Sequence, residues 1–236
     1  MSETYEYLLR SISLFRELSA AELANVAALA HVRHYPARTA VVTQGEEALA
    51  LFAIVRGRLK VVSSGPDGRD TVLNIMGDGE VFGEIALIDG GVRSATCRTL
   101  GPCELLSIQR GPFLELVGRE PSMGLKLLKV LARRVRHLSQ RSEDNASLDV
   151  PSRLARRVLD LAARFGERQP QGSVLVRIKL SQQELGDLVD ATRESVNKHM
   201  SDWTRLGLLK VEDGFLVILD LQALRETARV VEDEMK

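Results

Sequence analysis

Between Arg33 and Ile108 the chain runs as short β-favouring stretches closed by glycine, proline or aspartate, and this punctuation limits the possible folds more than any other feature. The runs fall at 39–42, 50–55, 59–62, 71–75, 81–82, 94–99 and 104–108. Turn residues separate them at Gln44-Gly45, Arg56-Gly57, Gly65-Pro66-Asp67-Gly68, Gly77-Asp78-Gly79 and Gly101-Pro102. Short strands spaced in this way signal an antiparallel barrel or jelly roll. Alternation points Val61 and Leu73 inward, where packing the core and walling a ligand pocket overlap in a small barrel.

Helical text surrounds this β region, so the class is α+β. Residues 5–30 carry helical spacing, with Ser19 as N-cap and Glu22 completing an S-x-x-E capping box. His31 and His34 read as a polar helix end. Pro112 starts a short helix, and a long one covers 122–148. On the long helix Leu128, Leu131, Val135, Leu138, Ser142 and Asn145 follow 3,4,3,4,3 spacing, the seam of a two-stranded coiled coil, which predicts a parallel homodimer. Lys126, Lys129, Arg133, Arg134, Arg136 and Arg141 lie among them and read as a solvated face. The boundary falls at Leu148-Asp149-Val150-Pro151, giving a sensor domain at 1–148, a hinge near Asp149 and a second domain at 149–236.

In the second domain a helix at 152–165, a polar loop at 166–172 and a strand at 174–178 precede Ser181-Gln182-Gln183-Glu184, a second capping box. After a break at Asp190-Ala191, Thr192 caps a helix over 193–206 that Gly207 ends. Two helices joined by a tight turn make a helix-turn-helix. Val196, Met200, Trp203 and Leu206 recur on its core side, which leaves Arg193, Glu194, Asn197 and Lys198 exposed. A hairpin around Glu212-Asp213-Gly214 forms a wing, and 221–235 reads as a surface helix with an acidic end.

The chemistry-bearing stretch is 82–97. Gly83 permits close backbone approach, Arg93 offers a fork matched to two phosphate oxygens, and Ser94 adds a hydroxyl. Glu84 beside a phosphate is costly unless a donor such as a ribose hydroxyl binds it, which suggests a nucleotide. The same residues also suit a surface turn in which Glu84 and Arg93 merely pair. Lysine and arginine balance aspartate and glutamate at 32 each, and 14 basic residues face 14 acidic ones from Pro151 onward, so bulk charge does not favour nucleic acid. Cys97 and Cys103 lack C-x-x-C spacing and read as reduced structural thiols, and His31, His34, His137 and His199 form no metal-ligand pattern. No apolar run approaches the ~18 residues of a membrane span, so a cytoplasmic protein without a membrane partner is expected. No nucleophile-base pair appears, which argues against an enzyme.

Gly-Glu-(apolar)-Ala-Leu followed by Arg-Ser-Ala-Thr resembles the phosphate-binding cassette of cyclic-nucleotide-binding domains. The resemblance implies that Glu84 holds a ribose hydroxyl while Arg93 and Ser94 hold the cyclic phosphate, with Gly83 and Ile85 in the same turn. The order of cassette, long helix and Ser-Gln-Gln-Glu-Leu-(x5)-Ala-Thr-Arg-Glu-Ser-Val-Asn-Lys resembles the cyclic AMP receptor protein and FNR-type regulators over nearly the whole chain. That family implies base reading by Arg193, Glu194 and Lys198, with Ser181, Gln182, Thr192 and Asn197 at the same surface. Lys198 stands where an arginine is common. Leu138 and Ser139 occupy the positions of a Thr-Ser pair that contacts adenine in cyclic-AMP-responsive members, and only the serine survives. The four-cysteine pattern of oxygen-sensing relatives is absent. The expected function is a sequence-specific transcription regulator, binding an inverted-repeat duplex as a homodimer and contacting RNA polymerase. Cyclic AMP is the favoured effector and cyclic GMP a possible one, with no cofactor and no metal. A different effector, or none, and a nucleotide-sensing adaptor that binds protein remain as alternatives.

Overall fold

The computed structural model describes residues 3–170 and 172–229. Two compact units emerge, 1–137 and 138–236.

The first unit opens with α1 (Glu3–Ser11) and α2 (Ala20–Leu29), followed by β1 (His31–Tyr35), β2 (Ala40–Val42), β3 (Ala50–Arg56), β4 (Leu59–Ser64), β5 (Asp70–Met76) and β6 (Val81–Phe82). A short α3 (Glu84–Asp89) interrupts the strands before β7 (Thr96–Thr99) and β8 (Cys103–Gln109), and α4 (Arg110–Arg119) leads into α5 (Pro121–Ser147). The strands form two antiparallel four-stranded sheets, in the orders β1-β8-β3-β6 and β2-β7-β4-β5. Between them Val42, Leu59, Met76 and Cys97 of one sheet meet Ile54, Phe82 and Leu105 of the other. The opposite face of the first sheet packs Leu51, Ala53, Leu106 and Ile108 against Leu9, Phe15, Leu23, Phe113, Met123 and Leu127 of the helices. Burial on both faces explains why 51–54 is apolar without alternation.

The Ser19 capping box forms, with the Ser19 hydroxyl accepting from the Glu22 amide. His31 and His34 sit on β1, paired with Ser107 and Glu104, and not on a helix end. Isolated histidines flanking Val32 and Arg33 carry no helical period; pairing with β8 decides the conformation. Val61 packs into the intersheet core. Leu73 does not, being 38% exposed. The register slips between Val61 and Val62, so that Asn74 faces Val61 and Val72 faces Val62, which leaves Leu73 as the extra residue of a bulge.

The second unit continues with α6 (Val150–Phe165), β9 (Gly166–Arg168), β10 (Val174–Val176), α7 (Gln182–Val189), α8 (Arg193–Arg205), β11 (Leu209–Glu212), β12 (Phe215–Ile218) and α9 (Leu221–Thr227). Its sheet runs β11-β12-β10-β9. The loop expected at 166–172 therefore contains an edge strand, paired with β10. Asp149 caps α6, accepting from the Ser152 amide, with Pro151 in the first turn. The compact division differs from the boundary expected at 148/149. Within this unit Asp144 on the last turns of α5 pairs with Arg156 at 2.9 Å, and Asn145 donates to the Asp190 carboxylate at 2.6 Å. These bonds span the expected hinge near Asp149. Asn145, expected in the dimer seam, is thereby committed to its own unit. Of the surface helix expected at 221–235, α9 is seen and the portion from 230 lies outside the described residues.

Candidate functional site

Gly83 ends β6 with φ +81 and serves as the N-cap of α3. A Cβ there would overlap Arg93 Nη1, so only glycine lets the turn close on the guanidinium. Arg93 is buried. Its Nη1 donates to the Gly83 carbonyl at 2.8 Å and its Nη2 to the Ala50 carbonyl at 2.6 Å. Its backbone is fixed by an amide donated to Glu46 O and a carbonyl accepting from Gly45. Below it, Phe52 lies 5.9 Å from the guanidinium carbon and stacks on Phe82. The cation is held by backbone carbonyls alone at these two nitrogens, which sets it in place without neutralising it.

Glu84, the first residue of α3, is 0% exposed. Its Oε1 lies 2.6 Å from Arg134 Nη1 on α5. The contact is an ion pair without hydrogen-bond alignment, and neither carboxylate oxygen has an aligned donor among the described residues. Burial raises the Glu84 pKa, opposed first by Arg134, then by its own backbone amide, and last by Arg93. Arg134 also donates to the Val81 carbonyl at 2.5 Å. The solvated-face reading of Arg134 is thus overturned. Its sequence signal was its position four residues before Leu138, hence on the helix face that carries the Leu138-Ser139 pair. Cys97 lies within the field of Arg134, Arg93 and Glu84, and burial pushes its thiol up to about 12. Both cysteines are free and buried.

The other candidates of the first unit are less enclosed. Ser94 is exposed, and Ile85 on the outer side of α3 is 43% exposed. Leu138 and Ser139 fall in the second unit and are exposed. Along the expected seam Leu128, Val135 and Leu138 are exposed while Leu131 is half-buried, so this chain by itself does not cover the stripe. Ser142 is exposed as well.

In the second unit, α7 starts on the Ser181–Glu184 capping box and ends at Asp190, which adopts φ 50 and ψ 53. Asparagine and aspartate tolerate this left-handed region. A Cβ on Gly186 would meet the Ala191 carbonyl at 2.5 Å, so glycine lets the turn fold back over α7. Thr192 caps α8 by accepting from the Ser195 amide. Val196, Met200 and Trp203 are buried, as their spacing requires. Leu206 is 67% exposed, because the helix ends at Arg205 and Gly207 turns the chain so that Leu209 takes the core position. Arg193, Glu194, Asn197 and Lys198 are exposed at the start of α8, and Gln182 donates to Asn197 Oδ1 at 2.9 Å. Ser181 and Thr192 are exposed, with their hydroxyl oxygens used as caps. The wing turn at Asp213-Gly214 has φ 50 and 80, the mirror-image turn that fits strand twist.

Residues 32–120 match the model of the cyclic nucleotide-binding domain, and 152–227 match the Crp-like helix-turn-helix domain. The chain is 35% identical over 195 residues to a CRP-like cAMP-activated global transcriptional regulator of Mycobacterium tuberculosis, spanning 83% of this chain and 87% of that one. This chain is a member of the CRP/FNR family. The cAMP-activated global transcriptional regulator CRP of Haemophilus influenzae, another relative, is 32% identical over 172 residues, 71% of this chain and 75% of its own. Among solved structures, a CRP-family transcriptional regulator from Thermus thermophilus superposes with TM-score 0.71 at 26% identity, covering 84% of this chain and 97% of that one. The c-di-GMP responsive global regulator CLP of Xanthomonas campestris superposes with TM-score 0.70 at 28% identity, covering 85% and 99%. Membership makes this CRP/FNR chain a DNA-binding transcription regulator with a cyclic nucleotide-binding domain. No described helix is long and apolar enough to cross a membrane, and no described cluster of His, Cys, Asp or Glu could hold a metal.

Proposed function

We propose that this regulator is gated by a cyclic nucleotide seated between Arg93 and Glu84, with cyclic AMP the first candidate. One observation carries the reading: a fully buried carboxylate without an aligned donor stands beside a buried guanidinium anchored by carbonyls. Such a pair complements a ligand that brings hydroxyl donors and a phosphodiester together. Glu84 accepts from the ribose hydroxyl, Arg93 donates to the cyclic phosphate, and Ser94 adds a donor. The Arg134 ion pair couples the ribose end to α5, so that ligand binding shifts the population of α5 arrangements.

On the DNA side, α8 presents Arg193, Glu194, Asn197 and Lys198 to base edges, and a homodimer along the apolar half of the α5 seam reads an inverted repeat. RNA polymerase is the expected protein partner. Titration calorimetry with cyclic AMP, cyclic GMP and cyclic di-GMP tests the effector. Cyclic AMP should bind, and Arg93→Ala should weaken it more than tenfold with the fold retained. Unchanged affinity in folded Arg93→Ala removes the assignment. Selection on randomised duplexes tests the reading head: Glu194→Ala should relax one base pair of the site, at a cost of about 1 to 3 kcal/mol there. A second effector reading, cyclic di-GMP, draws on the similarity to the c-di-GMP responsive regulator of Xanthomonas campestris and on Leu138 standing where the family resemblance implies an adenine-contacting threonine.

A further inference from the structure

Of Arg193, Glu194, Asn197 and Lys198, all exposed on α8, Asn197 is the one that α7 holds among the described residues. Gln182 is the first residue of α7, and the capping box fixes its backbone. The Ser181 amide donates to the Glu184 carboxylate at 2.8 Å, and the Ser181 hydroxyl accepts from the Glu184 amide at 3.2 Å. From that start the Gln182 side chain crosses to α8, its Nε2 donating to Asn197 Oδ1 at 2.9 Å. The next amide, Gln183, instead bonds along its own helix to Asp187. An asparagine side chain offers two N–H donors and one acceptor oxygen, and which of them it presents decides what it can read. With the oxygen turned to Gln182, the Asn197 amide nitrogen is directed away from α7. Asn197 stands four residues after Arg193 and three after Glu194, on the helix face that carries them. A free asparagine suits adenine, donating to N7 while accepting from the 6-amino group, and that pairing needs the oxygen. Guanine presents two acceptors, N7 and O6, on its major-groove edge and asks only for donors. In water the bond between the two amides is a modest one. In a groove that excludes water, breaking it would leave the Gln182 donor unmet, which strengthens the hold on Asn197.

We infer that Gln182 is a positioning residue for base readout: by holding Asn197 Oδ1 it presents the Asn197 N–H groups to the major groove, so that this position selects guanine over adenine. The inference rests on the DNA-reading role of α8 proposed above. It adds a residue of the neighbouring helix that decides the base through another side chain.

The test is selection on randomised duplexes with the full chain, followed by titration of the selected duplex and its single-base variants. Asn197→Ala should relax one base pair of the site, and wild type should prefer guanine to adenine there by about tenfold. Glutamate in place of Gln182 accepts only, so in Gln182→Glu the Asn197 amide should turn over, donate to the carboxylate and present Oδ1. Preference at that same base pair should then move to adenine or cytosine, which offer an amino group. Gln182→Leu, which keeps the bulk without a charge, should bring adenine level with guanine. A merely structural role for Gln182 would weaken all duplexes alike and leave the preferred base unchanged. That result in Gln182→Leu overturns the positioning role, as does wild-type selectivity in Asn197→Ala or a wild type that prefers adenine at this position. In each case the remaining base preferences persist and the DNA-reading proposal stands. A wild type that selects no sequence overturns that proposal and this inference with it.

Discussion

Replacing Arg134 by alanine would leave a carboxylate with 0% exposure beside a β strand, with only the weaker influence of Arg93 to offset its charge. Breaking a pair buried at both ends costs about 3–5 kcal/mol. Arg134 is about one-third exposed, so solvent already screens part of the attraction, and a loss of about 2 kcal/mol at pH 8 is expected. The loss must depend on pH with a definite sign. Burial raises the Glu84 pKa, and removing Arg134, the largest opposing influence, raises it further. A carboxyl whose folded pKa is raised weighs on stability only where it ionises. The difference between variant and wild type should therefore be small near pH 4.5 and grow as pH rises through the folded pKa. Urea unfolding followed by circular dichroism at both pH values measures it. Trp203, the single tryptophan, lies in the other unit and its fluorescence provides the control. Glu84→Gln in the Arg134→Ala background should restore most of the loss. A deficit equal at both pH values and not relieved by Glu84→Gln would refute the ion-pair argument, leaving the bond from Arg134 to Val81 as the cause.

Other expectations follow from single contacts. The Glu22 carboxyl is lowered to about 2, first by the Ser122 hydroxyl at 2.5 Å and then by the Ser19 amide. This contributes stability that is present above the ordinary carboxylate range and lost as pH falls towards 2, so Ser122→Ala should raise the Glu22 pKa in an NMR titration and show its deficit at neutral pH only. Val135, 62% exposed, should become a dimer contact: Val135→Glu should sediment as a monomer, and an intact dimer would remove the seam as the interface. Gly186→Ala forces a Cβ to within 2.5 Å of a carbonyl and should destabilise the second unit by about 1–3 kcal/mol in urea titrations read by Trp203.

Much of this architecture was legible because local chemistry and tertiary contacts agree. The Ser19–Glu22 and Ser181–Glu184 boxes, the Thr192 cap and the Asp213-Gly214 turn each satisfy backbone groups within a few residues, and each appears where the spacing places it. The cassette was legible for the same reason, since Gly83, Glu84 and Arg93 lie close in sequence, on the turn, helix and loop that join β6 to β7. What escaped depends on distant partners. β1 exists because β8 offers it a ladder, although His31 and His34 have no strand pattern of their own. Leu73 is turned out by a bulge whose cause lies in the pairing of β4 with β5. Arg134 looked like one cation among several on a charged helix, and only the fold shows that it meets a carboxylate far from it in sequence. Leu206 was misplaced by one residue of helix length.

The bonds that tie Asp144 to Arg156, and Arg141 and Asn145 to Asp190, bear on how such regulators are recombined. A chimera joining this DNA-reading unit to a foreign sensor at the proline would strand two charged side chains, Arg156 and Asp190 of the helix-turn-helix turn. A splice ahead of Leu138 carries the last turns of α5 along and keeps each of those partners. In this chain the transferable cassette for DNA recognition is longer than its winged helix.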